Sequence, residues 1–177
     1  MPNLETERFN LRGWGEADTD FVFDLYSRWE VQRYIGRVPR VMEDRSEAVE
    51  RVARNAAFKH PIYGIWAIED RESGHLAGAL MLKELPASGP TEPLQPSGEI
   101  EIGWHLHPDW WGKGVATEAA GRVLEHAFAS GLTRVVAVIQ PANAASQRVA
   151  TRIGMTHQGA TDRFYNTLCE FYTIQQP

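Results

Sequence analysis

Hydrophobic and polar residues alternate with two different periods along this chain, and the change of period separates predicted strands from predicted helices. Phe9 and Leu11 alternate with polar neighbours, which predicts an opening strand. Apolar residues then recur at helical spacing over 21–29 and over 45–58, and Asp18 is the predicted cap of the first helix. The apolar side of the second helix is predicted to carry Val49, Val52, Ala53 and Ala56.

The middle of the chain predicts a hairpin followed by a long loop. Apolar runs at 65–68 and 76–82 flank a polar turn at 70–74, which is typical of two paired strands. The segment 86–98 contains four prolines and two glycines, so we expect no regular structure there. Each half of the chain is too short for a core of its own, which favours one domain spanning residues 1–177.

The second half of the chain predicts a two-faced strand followed by further alternation of helices and strands. Over 99–107 the apolar face carries Ile100, Ile102, Trp104 and Leu106, and the other face carries Glu99, Glu101, Gly103, His105 and His107. A helix with one continuous apolar stripe is predicted from Gly114 to Gly131. The remaining predicted elements are a strand at 135–139, a helix from Asn143 to Gly154 and strands at 155–163 and 168–174.

Composition excludes several classes of protein. The formal net charge of −5 argues against nucleic-acid binding, which needs a basic surface. The single cysteine, Cys169, permits no internal disulfide and favours a reducing compartment. No apolar run approaches the roughly 20 residues of a membrane span, and the first residues do not resemble a signal peptide. We therefore expect a cytoplasmic protein with no membrane and no nucleic-acid partner.

Two glycines flank a lysine where the long predicted helix begins. The first amides of a helix lack intrahelical partners, and glycines let a ligand approach them, so Gly112, Lys113 and Gly114 are candidates for binding a phosphate. The alternative is an ordinary glycine-rich turn. The P-loop pattern is absent, and the dinucleotide pattern G-x-G-x-x-G/A fails because Thr117 occupies its third glycine position.

The stretches "EIEIGWHLHPDWWGKGVATEAA" and "IQPANAASQRVATRIGM" resemble the GNAT superfamily of acetyl-CoA-dependent N-acetyltransferases. The resemblance extends to "LETERFNLRGW" and "RFYNTLCEFYTI". Within the superfamily, the chain most resembles the branch that contains the ribosomal-protein N-terminal acetyltransferases. Trp111 fills the position where the family's pyrophosphate loop usually has Arg or Gln. The resemblance implies an α/β (α+β) fold with a mixed, mostly antiparallel sheet of about seven strands, splayed between strands four and five and flanked by helices. The predicted order of elements agrees with that fold.

The resemblance also implies roles in binding acetyl-CoA, which would be a co-substrate, with no metal required. Amides of the loop would bind its pyrophosphate, and backbone groups at the end of the preceding strand would bind its pantetheine arm. The implied loop residues are Gly112, Lys113, Gly114, Val115, Ala116 and Thr117, and the implied strand residues are Trp104, His105 and Leu106. Asn143 would contact coenzyme A, although its spacing to Ser146 also fits simple helix capping.

Acetyl transfer to an amine needs a base, an oxyanion donor and an acid. Glu101 is the candidate base, because it lies on the polar strand face and a catalytic glutamate occupies this position in several relatives. Glu99, His105 and His107 are weaker alternatives, and a metal site from Glu101 and the two histidines lacks further ligands. Ala150 stands where many relatives have a tyrosine that donates the proton, which leaves Ser146, Tyr165 or water as the acid. The resemblance implies that Ser146 lies near the sulfur, so Ser146 is the candidate acid.

The sequence leaves the amine acceptor open. Trp29 and Tyr34 lie where relatives wall the acceptor site, and Tyr165 is a further candidate for that wall. Glu99 and Glu101 would favour a cationic acceptor. A protein N-terminus is one candidate, and a small amine such as a polyamine, an amino-sugar or a xenobiotic is another. A non-catalytic acyl-CoA-binding module is the remaining alternative, and a homodimer is compatible with all three.

Overall fold

The computed structural model describes residues 1–176. Segments in which apolar and polar residues alternate form strands, and segments whose apolar residues recur at helical spacing form helices. The strands are β1 (Leu4–Glu5), β2 (Phe9–Arg12), β3 (Gly64–Asp70), β4 (Leu76–Pro86), β5 (Pro96–Leu106), β6 (Arg134–Ile139), β7 (Thr156–Phe164) and β8 (Thr167–Gln175). The helices are α1 (Thr19–Ser27), α2 (Trp29–Gln32), α3 (Arg45–Ala57), α4 (Val115–Ala129) and α5 (Ala144–Arg152). Short 3₁₀ turns at Glu16–Asp18 and Pro108–Trp110 precede α1 and α4.

All eight strands form one sheet in the order β1-β2-β3-β4-β5-β6-β8-β7. Every neighbouring pair is antiparallel except β5 and β6, which are parallel and share a single register pair, Glu101 with Val136. The predicted mixed, mostly antiparallel sheet is thus confirmed. The two-residue strand β1 raises the count from seven to eight, so the splay lies between the fifth and sixth strands.

Alternation along β3 sends side chains into two separate cores. Trp66 and Ile68 pack with α4 residues such as Val123 on one face of the sheet. Ala67, between them, packs with α1 residues such as Leu25 on the other face. Each fully buried aliphatic side chain of this kind stabilises the fold by roughly 1.5–3 kcal/mol. The two cores therefore fix the helices on opposite sides of one sheet.

Two local predictions about the helices are wrong, and a third is met in position only. The first helix breaks at Arg28, whose backbone is extended (φ −88°, ψ 120°), so Trp29 starts α2 and is 56% exposed. Asp18 is the N-cap residue of α1, as predicted, but its carboxylate accepts hydrogen bonds from Arg12 and from the Gly15 amide and not from the helix. The buried side of α3 consists of Ala48 and Val52, whereas Val49 and Ala53 are exposed.

The proline-rich segment is more regular than predicted. Strand β4 continues to Pro86 and β5 begins at Pro96, and these two prolines are paired in the register of the sheet. Proline has no amide hydrogen to donate, so it occurs in sheets mainly at edges or irregularities, and here the register shifts beside Pro86. The irregular connection is therefore limited to 87–95. Within residues 1–176, no helix is both long and apolar enough to cross a membrane.

Candidate active site

The turn before α4 leaves backbone amides open to a ligand. Gly112 (φ 73°) and Gly114 (φ 78°) are both left-handed, a conformation that costs other residues roughly 1–2 kcal/mol. Gly114 is the N-cap of α4, and no side chain of the described residues caps the helix. The amides of the first turn and the positive end of the helix dipole therefore face the space in front of the turn, which suits an anion.

Residues from the start of the chain brace this turn. Both terminal nitrogens of Arg8 donate to the carbonyl oxygen of Lys113 at 3.1 Å. The Arg8 Nε donates to Glu118 Oε2 at 2.7 Å, and the Thr6 hydroxyl donates to Glu118 Oε1 at 2.6 Å. The ammonium group of Lys113 lies 5.3 Å from the centre of the Trp110 ring. The turn is thus held from the side of β2, and its lysine is stacked on an aromatic ring.

The splay of the sheet exposes backbone groups of β5. Beyond the pair of Glu101 with Val136, the edge of β5 that faces β6 has no strand partner in residues 1–176. The Trp111 indole nitrogen donates to the carbonyl oxygen of Leu106 at 2.9 Å, which connects the end of β5 to the turn. An extended ligand with amide groups could therefore continue the hydrogen bonding of this edge, as an added strand does.

A cavity of about 570 Å³ fills the splay between β5 and β6. Most of the residues predicted for the site line it: Tyr34, Glu101, Trp104, His105, Leu106, Gly112, Gly114, Val115, Ala116, Thr117, Asn143 and Ser146. Four predicted residues are outside its lining: Trp29, Glu99, Lys113 and Tyr165. The predicted loop, strand end and candidate base therefore meet at one cavity, and the expected acceptor wall is only partly present there.

Glu101 is a buried carboxylate at this cavity, with 7% of its surface exposed. The Tyr165 hydroxyl donates to its Oε2 at 2.5 Å, and the Lys83 ammonium lies 3.8 Å from the same oxygen. Burial raises the pKa of Glu101, while the charge of Lys83 and the hydrogen bond from Tyr165 act in the opposite direction. A carboxylate with a raised pKa is a stronger proton acceptor than a solvated one.

The two histidines of the polar face have structural partners. The Nδ1 atom of His105 lies 3.0 Å from the Tyr26 hydroxyl, and burial lowers the pKa of His105 to about 3, which makes it a poor base. His107 accepts the Asp109 amide at Nδ1, so its protonated Nε2 donates to Asp24 at 3.1 Å. Among residues 1–176, no cluster of three or more histidine, cysteine or acidic side chains forms a candidate metal site.

Asn143 and Ser146 begin α5 at the edge of the cavity. The Asn143 Oδ1 accepts the Ser146 amide at 3.1 Å, which is an N-cap. This cap uses only the side-chain oxygen, so the Asn143 amide nitrogen can still donate to a ligand. Ala150, one turn further along, is fully buried, so its methyl group belongs to the core.

Two candidate residues escaped the sequence analysis. Lys83 is the register partner of Glu101 on the adjacent strand, so pairing the predicted strand 76–82, continued by one residue, with the predicted strand 99–107 by charge could have found it. Tyr26 reaches His105 from α1, 79 residues away, and no local pattern carries that contact. Glu99, in contrast, pairs with Arg134 at 3.2 Å and does not add negative charge to the cavity.

Comparisons with known proteins agree with this geometry. A family model described as an acetyltransferase (GNAT) domain matches residues 8–156. The uncharacterized N-acetyltransferase YoaA of Bacillus subtilis is 31% identical over 93% of this chain and 88% of its own length. The FsC-acetyl coenzyme A-N(2)-transacetylase of Aspergillus fumigatus is 27% identical over 94% of this chain and 68% of its own.

Among solved structures, RimL, a ribosomal L7/L12 alpha-N-protein acetyltransferase in complex with coenzyme A, shares the fold. Its TM-score is 0.76 at 18% identity, with 98% of each chain covered. The match of the family model and the identity to YoaA are the evidence for family membership. The chain therefore belongs to the GNAT acetyltransferase family, and it is an acyltransferase enzyme.

Proposed function

We propose that this enzyme transfers the acetyl group of acetyl-CoA directly to a primary amine, with Glu101 as the general base. The observation that carries the proposal is a buried carboxylate that lines the cavity and faces the same space as the open turn before α4. One oxygen of Glu101 is bound by Tyr165, and within residues 1–176 no group donates to the other oxygen. That free oxygen can accept a proton from an ammonium group or from a bridging water.

The proposed reaction balances in atoms and charge. Glu101 removes one proton from the ammonium, and the resulting lone pair attacks the thioester carbonyl. The C–N bond forms, an oxyanion develops, and a backbone amide at the free edge of β5 can stabilise it. The C–S bond then breaks, the nitrogen loses a second proton, and the thiolate gains one. The products are an acetamide and free coenzyme A thiol, with one proton released to solvent through Glu101.

Ser146 is the proposed proton donor to the leaving thiolate. It lines the cavity, and its hydroxyl donates no hydrogen bond to another group in residues 1–176. Tyr165 is a poorer candidate, because its hydroxyl donates to Glu101 and accepts from Lys83 at 2.8 Å. Burial also raises the pKa of Tyr165 above its ordinary value, which weakens it as an acid. Water remains the alternative donor.

The turn before α4 and the free edge of β5 are the proposed binding site for acetyl-CoA. A pyrophosphate in front of Gly112 and Gly114 would meet the first amides of α4, which no side chain caps within residues 1–176. The pantetheine arm would then lie along the residues from Trp104 to Leu106. In this proposal the protein recognises coenzyme A mainly through backbone groups of the turn and of β5.

The proposed acceptor is a protein N-terminus, and a small-molecule amine is the second candidate. RimL, which shares the fold, acts on the α-amino group of a ribosomal protein according to its name. The name of the Aspergillus relative describes N(2)-acetylation of a different acceptor. The side chains at the acceptor end of the cavity include Glu30, Arg33 and Tyr34. These mixed charges can bind a zwitterionic acceptor as well as a cationic one.

The decisive experiment compares wild type with Glu101→Gln on a panel of amines. The panel contains peptides with free N-termini, spermidine and glucosamine, and coenzyme A release is measured. Glu101→Gln should lower kcat by roughly 10²–10⁴-fold on the best amine, and the loss should shrink at high pH where free amine is abundant. Glu99→Gln is the matched control on the same strand and should keep kcat. An active Glu101→Gln variant at neutral pH would rule out Glu101 as the base.

A further inference from the structure

The turn between β7 and β8 holds a tyrosine in an unusual backbone conformation. Phe164 pairs with Thr167, so Tyr165 and Asn166 alone make the turn, and both have positive φ (56° and 51°). Asparagine tolerates this region well, but a bulky residue rarely occupies it. A chain that accepts this strain gains a fixed direction for the Tyr165 side chain. That side chain points to Glu101, where its hydroxyl makes the 2.5 Å hydrogen bond.

The proline-rich segment clamps the same turn. The Asn166 side chain accepts the Gly89 amide at 2.8 Å and donates to the Gly89 carbonyl oxygen at 3.0 Å. The Ser88 hydroxyl accepts the Asn166 amide at 2.9 Å and donates to the carbonyl oxygen of Asp162. The Ser88 amide also donates to the carbonyl oxygen of Arg163 at 2.7 Å. Three hydrogen bonds therefore fasten 88–89 to Asn166 in the turn that carries Tyr165, and two more fasten Ser88 to the end of β7 that leads into it.

We propose that Tyr165 is a positioning residue for Glu101, held in place by the clamp between Asn166 and Gly89 and oriented by Lys83. The Lys83 ammonium donates to the Tyr165 oxygen at 2.8 Å, so the hydroxyl proton has Glu101 Oε2 as its acceptor. The hydrogen bond fixes one oxygen of the carboxylate, and within residues 1–176 the other oxygen accepts no hydrogen bond. This inference rests on the proposed role of Glu101 and extends it to residues outside the cavity lining.

Few charged or titratable groups affect the ionisation of Glu101. Lys83 on β4 and Tyr165 on the turn are the groups that favour the ionised form of Glu101, and burial opposes them. Cys169 on β8 faces the same carboxylate and is itself affected by it, since burial and then Glu101 raise its pKa to about 11. On the side of β6, Arg134 is paired with Glu99. Removing Lys83 or the Tyr165 hydroxyl should therefore make Glu101 harder to ionise.

Titration of the Glu101 carboxyl by ¹³C NMR tests this inference without any acceptor. Side-chain-labelled glutamate reports the carboxyl carbons, and the Glu101 signal is identified by its loss in Glu101→Gln. Tyr165→Phe and Lys83→Met should each move the Glu101 titration to higher pH. Lys83→Arg, which keeps the charge, should retain the wild-type titration. Lys59→Met, which removes a lysine from an exposed position, is the matched control and should leave it unchanged.

Asn166→Gly tests the clamp separately. Glycine adopts positive φ freely, so the turn keeps its backbone while the two side-chain hydrogen bonds to Gly89 are lost. The Glu101 titration should move upward here too, by less than in Tyr165→Phe, because Tyr165 becomes mobile but is still present. An unchanged titration in Asn166→Gly would overturn the clamp. An unchanged titration in both Tyr165→Phe and Lys83→Met would overturn the positioning role altogether.

Kinetics with the best amine of the panel separate this inference from the assignment of the base. Tyr165→Phe should lower kcat by about tenfold, the value of one hydrogen bond to a charged group, and should leave acetyl-CoA affinity unchanged. The acid limb of the kcat profile should shift to higher pH in parallel with the NMR titration. If Glu101→Gln is inactive while Tyr165→Phe keeps the wild-type profile, the base survives and the positioning role fails. If Glu101→Gln is fully active, the base itself is wrong, whatever the NMR titration shows.

Discussion

The guanidinium of Arg8 donates two hydrogen bonds to the carbonyl oxygen of Lys113, across 105 residues of sequence. The same side chain is paired with Glu118 in the first turn of α4. The start of the chain thus supports the turn whose amides are the proposed pyrophosphate site. A carbonyl that is bound from outside leaves the neighbouring amides directed towards the cavity.

Removal of this brace should weaken acetyl-CoA binding modestly. The Arg8 side chain is 45% exposed, so solvent screens its ion pair and the expected loss is at most about 1 kcal/mol, or fivefold in affinity. We expect Arg8→Ala to show this loss by calorimetry with acetyl-CoA. Arg45→Ala removes a similarly exposed ion pair far from the turn and should leave affinity unchanged. Equal affinities for Arg8→Ala and wild type would mean that the turn holds its shape unaided.

The two ends of α4 offer a matched pair of glycines. Gly114 (φ 78°) precedes the helix at the cavity, and Gly131 (φ 93°) follows it at the opposite end. Alanine at either position should cost roughly 1–2 kcal/mol of folding stability through backbone strain. Only Gly114→Ala should also weaken acetyl-CoA binding. The new methyl group would lie beside the backbone amides proposed to bind the pyrophosphate, 3.5 Å from the Arg8 guanidinium. A parallel loss of affinity in Gly131→Ala would attribute the effect to general destabilisation.

Local periodicity was sufficient to predict most of the fold. The stripe of α4 and its stop at Gly131 depend on neighbouring residues, and the structure has both, with the Gly131 amide donating to Phe128. The break at Arg28 and the extension of β4 to Pro86 depend on tertiary pairing, which spacing along the chain does not encode. Val49 was misassigned because alanine and valine alternate around α3, and only packing against α1 selects the buried side.

The candidate site divides in the same way. The glycine turn and the strand face of Glu101 could be predicted, because helix starts and strand alternation are local features, and the family resemblance singled out Glu101 on that face. The contact of Tyr165 with Glu101 could not, because it joins residues 64 positions apart through a positive-φ turn. Trp29 was proposed for the acceptor wall on family position, yet it is exposed outside the cavity lining. Long-range partners of a buried charge are thus the part that requires the structure.

The lone cysteine should be dispensable for catalysis. Cys169 is buried, and its raised pKa keeps it a neutral thiol at physiological pH. It is also outside the lining of the cavity in which the acetyl group and the amine are proposed to meet. We expect Cys169→Ser to retain kcat and radiolabelled acetyl-CoA to leave no label on the protein without acceptor. Ping-pong kinetics or a trapped acetyl-enzyme would contradict direct transfer.

The last prediction concerns the stability that Glu101 costs the fold. Burial raises its pKa in the folded state above the unfolded value, so the folded protein binds this proton more tightly. The stability that the folded protein gains by binding this proton is complete below the unfolded pKa and is lost as pH rises through the folded pKa. Glu101→Gln does not titrate, so its free energy of unfolding should exceed that of wild type by an amount that grows with pH and then levels off.

Chemical denaturation of wild type and Glu101→Gln from about pH 4 to about pH 8 measures this gap across the carboxyl range and above it. Glu125→Gln, whose side chain is 75% exposed, is the control for removing one charge from the surface. A more stable but inactive Glu101→Gln protein would identify a carboxylate that the fold retains at a cost for its chemistry. A variant less stable than wild type at neutral pH would show instead that the contacts with Lys83 and Tyr165 outweigh the cost of burial, and that Glu101 contributes to the core.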